Sequence, residues 1–323
     1  MTTPPQGPPT SALVPVAPQP TAAASPVTVP DVIDLPSGNE LDALAAAELQ
    51  AAQLVRLIVV AGPVGSGKTT LITTLHDLFQ TGKIGDYAFA WSRTLPAFER
   101  RCHLSRIASE RSVADTERTK FGEVRYLHIQ ISGPELRDHL LDLLFADVSG
   151  ESFEQARDSI LECQRLHFLK MADHFLLLID CEKIIDRKKR NQVIHNAMML
   201  LRSCLDSGML AASCFVNVLW TKYDFVAAAG NAEHASFLEK ATQDFQKQFS
   251  TRVGKLSFRK VAARPTDVDG LEFGYGLPQL LQEWATESPR DRTMNLLPDE
   301  RLGSRESEKF LERHFSSESD STK

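Results

Sequence analysis

The sequence of 323 residues lacks several features that would mark a secreted, zinc-binding or membrane protein. Its five cysteines are scattered and contain no C-x-x-C pair, which indicates reduced thiols and excludes a disulfide framework or a cysteine zinc site. No apolar run approaches the length of about 18 residues that a membrane-spanning helix needs. The net charge of −6 argues against a general nucleic-acid-binding protein. The N-terminal MTTPPQGPPT lacks the basic start and apolar core of a signal peptide, so we expect a cytoplasmic protein.

Composition divides the chain into four parts. Residues 1–36 are rich in proline and alanine and almost uncharged, which predicts a disordered tail. The alanine-rich residues 37–53 predict a leading helix. Residues 54–286 have the patterns of a compact domain, with an insertion at about 80–120. The charged, apolar-poor residues 287–323 predict a flexible tail.

The most informative stretch is AGPVGSGKTT at residues 61–70, which contains the pattern G-x-x-x-x-G-K-[ST]. A β-branched apolar run at 54–60 precedes it, and an amphipathic helical pattern at 70–79 follows. This strand, loop and helix arrangement binds phosphates through backbone N–H groups and the helix N-terminus. Lys68 would reach the β- and γ-phosphates, and the Thr69 hydroxyl would ligate Mg²⁺. The residues assigned to this loop are Gly62, Pro63, Val64, Gly65, Ser66, Gly67, Lys68, Thr69 and Thr70.

Beyond the loop, apolar strand patterns alternate with amphipathic helical patterns. The predicted strands cover 123–131, 140–150, 174–180, 213–224 and 256–265, and the predicted helices cover 190–208, 234–250 and 276–286. This alternation predicts an α/β fold with a mostly parallel central sheet and helices on both faces. The glycine loop after the first strand indicates the P-loop NTPase type, to which the G domain belongs. In such sheets the ligand binds at the carboxyl ends of the strands. Polar residues that directly follow strands are therefore the candidate site residues.

The strand that ends in Asp147-Val148-Ser149-Gly150 carries the first such candidates. An aspartate in this position would hold Mg²⁺, either directly or through water. Gly150 would offer its backbone N–H to the γ-phosphate and provide a hinge for a switch.

The strand that ends in Thr221-Lys222-Tyr223-Asp224 carries the residues that would choose the base. Guanine has an N1–H and an exocyclic amine that can both donate to one carboxylate, whereas adenine has no such pair of donors. Asp224 would therefore favour guanine, because adenine would leave it desolvated and unpaired. The Lys222 stem would lie along the purine face. Ala262 and Ala263, after the last strand, would bring backbone N–H groups to the base edge.

These four segments resemble the first, third, fourth and fifth motifs of the TRAFAC class of GTPases, over residues 54–286. The stretch at 91–119, followed by DVSGESF, is similar to the bacterial double-GTPase family within that class. The resemblance implies binding of GTP and GDP, a requirement for Mg²⁺, and hydrolysis of GTP. For the family it also implies a protein partner, either a second GTPase or an effector encoded nearby, in bacterial conflict and defence systems.

Two features depart from the Ras-like pattern. Ras-like GTPases have a glutamine after D-x-x-G that orients the attacking water, and here that position is Glu151. This glutamate either orients water, acts only in a complex, or simply begins a helix, and we expect slow intrinsic hydrolysis. Thr119 is assigned to sense Mg²⁺ and the γ-phosphate, with Thr116 as the alternative. Arg118 is a candidate arginine finger, with a solvated surface arginine as the alternative.

The insertion is rich in arginine, and a helix through 96–110 would gather several arginines near the phosphate loop. It would serve as a partner-contacting switch, as a lid, or only as a solvated helix at the sheet edge. The basic run RKKR at 187–190 is interpreted as a solvated helix start and not as a nucleic-acid site. The oligomeric state is left open. The arginines concerned are Arg93, Arg100, Arg101, Arg106, Arg111 and Arg118.

The sequence therefore predicts a Mg²⁺-dependent GTP-binding protein that hydrolyses GTP slowly and acts as a molecular switch for a protein partner. Two alternatives remain at this point. One is a P-loop ATPase or kinase, and the other is a non-hydrolysing GTP-binding interaction module.

Overall fold

The structure, a computed structural model, describes residues 38–110, 124–136, 139–266 and 270–289, with only the backbone described over 103–110. Over these ranges the chain forms one seven-stranded sheet covered by helices. The strands are β1 (Val55–Ala61), β2 (Ala88–Trp91), β3 (Arg125–Ser132), β4 (Leu141–Asp147), β5 (His174–Asp180), β6 (Phe215–Thr221) and β7 (Lys255–Lys260). The helices are α1 (Ala43–Ala52), α2 (Lys68–Thr81), α3 (Leu95–Glu110), α4 (Gly150–Asp158), α5 (Ile160–Gln164), α6 (Cys181–Ile184), α7 (Arg190–Asp206), α8 (Tyr223–Ala229), α9 (Ala232–Phe249) and α10 (Leu277–Thr286).

The sheet has the strand order β2-β3-β4-β1-β5-β6-β7. The five strands from β4 to β7 in this order pair in parallel, and β2 and β3 are antiparallel to their neighbours. Parallel neighbours require crossover connections, which the intervening helices provide. The predicted α/β fold with a mostly parallel sheet is confirmed.

The central strand β1 shows why helices must lie on both faces. Its residues alternate between the faces with a period of two, so that Leu57, Val59 and Ala61 join one core while Ile58 and Val60 join the other. Burying each such aliphatic side chain contributes about 1.5–3 kcal/mol relative to exposure. Helices α1, α4, α5, α7 and α9 cover the first face, and helices α2, α3 and α10 cover the second.

A short N-terminal strap, residues 38–42, crosses the edge of the domain before α1. Its Leu41 pairs with Tyr126 of β3 through two backbone hydrogen bonds of 2.9 Å. The Ala97 N–H of α3 donates to the Gly38 carbonyl at 3.0 Å. Asp42 then begins α1 by accepting a hydrogen bond from the Ala45 N–H. The strap is thereby attached to both α3 and β3.

The predicted insertion contains an edge strand, β2, that sequence analysis did not identify. Its four residues, AFAW, are half-buried or exposed, and so they lack the buried apolar run that marks the inner strands. Helix α3 covers the region where a helix was predicted. Over the part of the chain that the structure describes, no helix combines the length and apolar character needed to cross a membrane.

Candidate functional site

The phosphate loop connects β1 to α2 and is shaped by glycines. Gly65 and Gly67 have φ angles of 76° and 92°, in the left-handed region that side chains disfavour. Gly67 also occupies the N-cap of α2, where no side chain caps the helix. The first N–H groups of α2 therefore point into the loop together with the positive end of the helix dipole. This arrangement is suited to holding an anion.

Lys68 is the first residue of α2 and is only 8% exposed. Its Nζ donates hydrogen bonds of 3.0 Å to the carbonyls of Gly62 and Pro63, so the ammonium lies across the start of the loop. Burial lowers the pKa of Lys68 below its ordinary value, and the nearby carboxylates of Asp147 and Glu151 act in the opposite direction. The loop therefore concentrates one buried cation beside two acidic residues that follow β4.

Asp147 ends β4, which is the parallel neighbour of β1, so its carboxylate lies at the same sheet edge as the phosphate loop. It is 1% exposed. Its Oδ2 accepts a hydrogen bond from the Nη1 of Arg101, a residue of α3. Arg101 is itself buried, and its Nη2 lies 3.0 Å from Glu40 Oε1 in the strap. The residue predicted to hold Mg²⁺ is thus paired with a cation of the insertion.

Gly150 begins α4 in direct contact with the phosphate loop. A Cβ atom at this position would lie 2.4 Å from the Val64 backbone nitrogen, a distance that only glycine allows without movement. The Val64 N–H donates to Glu154 Oε1 of α4 at 3.3 Å. Glu151, half-buried in the first turn of α4, is close enough to raise the pKa of Lys68. A displacement of the phosphate loop would therefore also displace the N-terminal end of α4.

The Thr221-Lys222 pair ties the end of β6 to its surroundings. Thr221 Oγ1 donates to the Ser66 carbonyl of the phosphate loop at 2.9 Å. Lys222 has a φ of 52°, the one positive value that a non-glycine residue takes in the described part of the chain. Its Nζ lies 3.1 Å from Asp180 Oδ2 and 2.6 Å from Glu182 Oε2. Burial lowers the pKa of Lys222, but these two carboxylates outweigh it, and the pKa lies above its ordinary value.

Asp224 lies two residues further on and is 3% exposed. Its Oδ2 accepts two hydrogen bonds from Thr266, one from the backbone N–H at 3.0 Å and one from Oγ1 at 2.9 Å. Thr266 belongs to the loop after β7, so the carboxylate is held by a segment 42 residues away in sequence. A buried carboxylate with one oxygen anchored in this way has a defined orientation for recognising a ligand.

A cavity of about 490 Å³ connects the phosphate loop with Asp224. It brings together nine of the predicted site residues with six other residues. The predicted residues that line it are Gly65, Gly67, Lys68, Thr69, Thr70, Thr221, Lys222, Asp224 and Ala263. The others are Leu71, Glu182, Phe225, Val261, Arg264 and Thr266.

Other predicted residues lie around this cavity without lining it. Ala262 is 1% exposed and its N–H donates to the Tyr275 carbonyl at 3.0 Å, so this N–H is already engaged inside the protein. Seven more belong to the phosphate loop, the end of β4 or the first turn of α4. They are Gly62, Pro63, Val64, Ser66, Asp147, Gly150 and Glu151. Thr116, Arg118 and Thr119 lie outside the described residues, and their assigned roles stay predictions.

A second cavity, of about 550 Å³, lies between α4, β5 and α7. It is larger than the first, and its floor is formed by apolar residues such as Phe153 and Leu200. Of the predicted site residues in the described ranges, Pro63 lines it. Lys68 of the glycine loop and Asp224 open into the smaller cavity and not into this larger space.

Sequence reasoning missed Arg101, Glu182 and Thr266 as parts of the site. Glu182 follows the carboxyl end of β5, so the rule that polar residues after parallel strands line the site would have found it. Arg101 was one of several arginines on a predicted helix, and nothing in the pattern singles it out. Thr266 has no sequence signal, since its role depends on how the loop after β7 folds against Asp224.

The glycine loop on a mostly parallel sheet, with an aspartate at each of two strand ends, defines a P-loop protein of the GTPase class. The sequence profile of the Double-GTPase 2 family matches residues 56–285. The chain belongs to this family, and the resemblance stated from its motifs is confirmed. No curated protein is similar enough in sequence to match this chain.

Two solved structures resemble the fold at low sequence identity. One is the GTPase-like domain of S. cerevisiae Ski7 bound to GDP and inorganic phosphate, at 14% identity and a TM-score of 0.41 over 74% of this chain. This chain covers 51% of that Ski7 chain, about half its length. The other is the signal recognition particle receptor SRb-GTP/SRX complex from Chaetomium thermophilum, at 15% identity and a TM-score of 0.41, covering 72% of this chain and 98% of that one.

Proposed function

We propose that this protein binds GTP and GDP with Mg²⁺, hydrolyses GTP slowly, and changes a surface that a protein partner recognises. Membership of a family of GTPase domains supports guanine-nucleotide binding. The geometry of the two ends of the cavity supports the finer assignment.

The observation that carries the choice of GTP is the buried, anchored Asp224. Thr266 holds one carboxylate oxygen, and the aspartate lines the same cavity as Lys68 and Thr69. A guanine at this end of the cavity would donate its N1–H and amine to the carboxylate. An adenine would offer no donor to the carboxylate oxygen that Thr266 does not hold, and leaving that oxygen desolvated and unpaired costs about 1–3 kcal/mol.

The donor set at the phosphate end suits Mg²⁺. Thr69 provides a hydroxyl and Asp147 a carboxylate, and hard cations prefer oxygen ligands of this kind. Thr69 lies in the first turn of α2 and Asp147 ends β4, the parallel neighbour of β1. Asp147 is close enough to Lys68 to raise the pKa of that ammonium. Mg²⁺ held there would neutralise negative charge on the phosphate oxygens.

The proposed reaction is in-line attack of water on the γ-phosphorus, with cleavage of the bond to the oxygen that bridges the β- and γ-phosphates. Lys68 and the N–H groups at the start of α2 would stabilise charge on the transferred group. Glu151 is close enough to Lys68 to raise its pKa. Since Lys68 would contact the transferred group, Glu151 would place a negative charge beside that group. This charge is the reason to expect slow hydrolysis without a partner.

The proposed switch is α4 together with the insertion. Gly150 and Glu154 contact the phosphate loop directly. A third phosphate in the loop would therefore change the position of α4. Thr119 and Arg118 keep their proposed roles as γ-phosphate sensor and arginine finger. The proposed partner is a second GTPase or an effector encoded nearby.

A non-hydrolysing GTP-binding module is the second candidate function. The observation that favours it is Glu151 at the position where Ras-like GTPases have a water-orienting glutamine. Phosphate release over many turnovers separates the two candidates. Release in excess of the protein concentration supports an enzyme, and its absence supports the module.

The experiment that tests the proposal is calorimetric titration of nucleotide-stripped full-length protein with GTP, GDP and ATP, each with Mg²⁺. We expect GTP and GDP to bind at least about tenfold more tightly than ATP, the difference expected for an unpaired buried carboxylate. Equal or tighter binding of ATP would overturn the assignment of Asp224 and favour an ATPase or a kinase.

A further inference from the structure

Arg101 forms an ion-pair triad that joins three separate segments, with buried Asp147 on one side and partly exposed Glu40 on the other. Its guanidinium contacts Asp147 at the end of β4 and Glu40 in the strap, with Nη2 3.0 Å and Nε 3.1 Å from Glu40 Oε1. The arginine and Asp147 are 6% and 1% exposed. Arg100, the next residue on α3, instead donates to Asn39 at the surface, at 2.9 Å. Of these two neighbouring arginines, Arg101 is the one directed at the proposed Mg²⁺ ligand.

The contact places two cations in competition for one carboxylate. Asp147 is the side chain that we assign to Mg²⁺, and its Oδ2 already accepts a hydrogen bond from the guanidinium. In a buried site with low dielectric, a guanidinium and a divalent cation at the same oxygen would repel each other strongly. The two arrangements therefore exclude each other to a large extent.

We propose that Arg101 competes with Mg²⁺ for Asp147, and that binding of Mg²⁺ with nucleotide releases Arg101 from this carboxylate. This inference rests on the proposed function. It makes Arg101 a residue that sets cation affinity without touching the nucleotide, and it assigns α3 the role of the element that responds to the cation.

Glu40 makes such an exchange energetically feasible. A buried arginine that lost its only counter-charge would carry a large desolvation penalty. Arg101 keeps Glu40 as a partner when Asp147 binds Mg²⁺ instead, because the Glu40 carboxylate already lies 3.1 Å from Arg101 Nε. The strap is bonded to both α3 and β3, so transfer of the arginine toward Glu40 would be transmitted to that edge of the domain.

Substitutions of Arg101 and of Glu40 should therefore change the Mg²⁺ affinity in opposite directions. Arg101→Met removes the competitor, and we expect Mg²⁺ to bind the GDP complex roughly tenfold or more tightly, the effect of losing a charge-assisted hydrogen bond. Glu40→Gln removes the alternative partner and leaves Arg101 on Asp147. We expect Mg²⁺ binding to weaken by several-fold in this variant. General destabilisation would weaken binding in both.

The experiment is calorimetric titration of MgCl₂ into the full-length protein, saturated with GDP after treatment with EDTA. Arg100→Met is the matched control, and we expect its Mg²⁺ affinity to equal that of the unmodified protein. Unchanged Mg²⁺ affinity in both test variants, or weaker affinity in both, would overturn the competition. If Arg101→Met does not fold, Glu40→Gln decides: several-fold weaker Mg²⁺ binding with GDP affinity in EDTA unchanged supports the proposal, and unchanged Mg²⁺ binding, or an equal loss of both affinities, overturns it.

Failure of the underlying function would look different. If the unmodified protein binds no GDP at any Mg²⁺ concentration, the proposed nucleotide site is wrong, and the competition falls with it. If GDP binds and the variants do not shift Mg²⁺ affinity, the nucleotide site stands and only the role of Arg101 is wrong.

Discussion

The two ends of the cavity are built in different ways. The phosphate end comes from one continuous stretch, residues 62–70, and acts through backbone N–H groups and the dipole of α2. The end that we propose to bind the base is made of side chains from the segments that follow three strands, among them Glu182, Lys222, Asp224 and Thr266. A local chain conformation is enough to bind phosphate, whereas recognition of a base needs the packing of distant segments.

The two ends are nevertheless linked. The Thr221 hydroxyl donates to the Ser66 carbonyl, so the loop that carries Asp224 is fixed to the phosphate loop. A nucleotide would therefore meet a base site and a phosphate site at a set separation. Substitutions at one end should change the property that this end controls and leave the other property largely intact.

The largest effect is expected at the phosphate end, from Lys68→Ala. Loss of the buried ammonium should reduce GTP turnover about 100- to 1000-fold and weaken nucleotide binding, as for removal of a group that stabilises transferred charge. Phosphate release and calorimetry measure the two effects. Lys83→Ala removes an exposed lysine just beyond α2 and should behave like the unmodified protein. Full turnover in Lys68→Ala would mean that the loop does not hold the transferred phosphate.

The next largest effect is expected at the base end, from Asp224→Asn. The amide turns one acceptor into a donor that faces the guanine donors, so GTP affinity should fall roughly 30- to 100-fold. Binding of xanthosine triphosphate should improve, since xanthine presents a carbonyl where guanine has an amine. Competition calorimetry with both nucleotides measures the change. Asp206→Asn, at an exposed site, is the control. An unchanged preference would mean that another residue recognises the base.

A smaller effect is expected from Thr266→Val, which tests the anchoring of Asp224. The hydroxyl hydrogen bond of 2.9 Å is lost while the backbone N–H bond can remain. GTP and GDP affinity should each fall about fivefold, the typical loss for one neutral donor to a carboxylate. The rate of phosphate release at saturating GTP should not change. Thr286→Val, an exposed threonine of α10, is the matched control. A lower turnover rate with unchanged affinity would contradict the separation of the two ends.

The smallest effect is expected from Glu151→Gln, which removes a half-buried negative charge beside Lys68. The ratio of GTP to GDP affinity should rise about threefold, because a partly screened carboxylate repels the γ-phosphate only modestly. Glu162→Gln on α5 is the control. Equal changes for GTP and GDP would show that Glu151 does not face the third phosphate.

The inner strands of the sheet were predictable because each is a continuous buried run. The residues of β4, β5 and β6 are apolar along almost their whole length, as strands covered on both faces must be. The edge strand β2 escaped prediction because its outer side meets solvent and its four residues carry no strong pattern. The antiparallel direction of β3 likewise depends on its neighbours and not on its own alternation.

The candidate site divides along the same line. Asp147 and Asp224 could be named from sequence because each directly follows a strand and because parallel strands end at one sheet edge. The partners of these aspartates, Arg101 and Thr266, could not be named. Each partner lies more than 40 residues from its aspartate, and only packing decides which of many arginines and threonines arrives there.

The sequence alone predicted the glycine loop, the polar strand ends and the α/β alternation. Local backbone conformation and burial require particular residue types within a few positions of one another, so these features can be recognised from the sequence. The tertiary structure alone decided that Thr221 would hold Ser66, that Thr266 would hold Asp224, and that Arg101 would lie between Glu40 and Asp147. These contacts depend on the relative placement of separate segments, which follows from the packing of the whole domain and leaves no local mark on the chain.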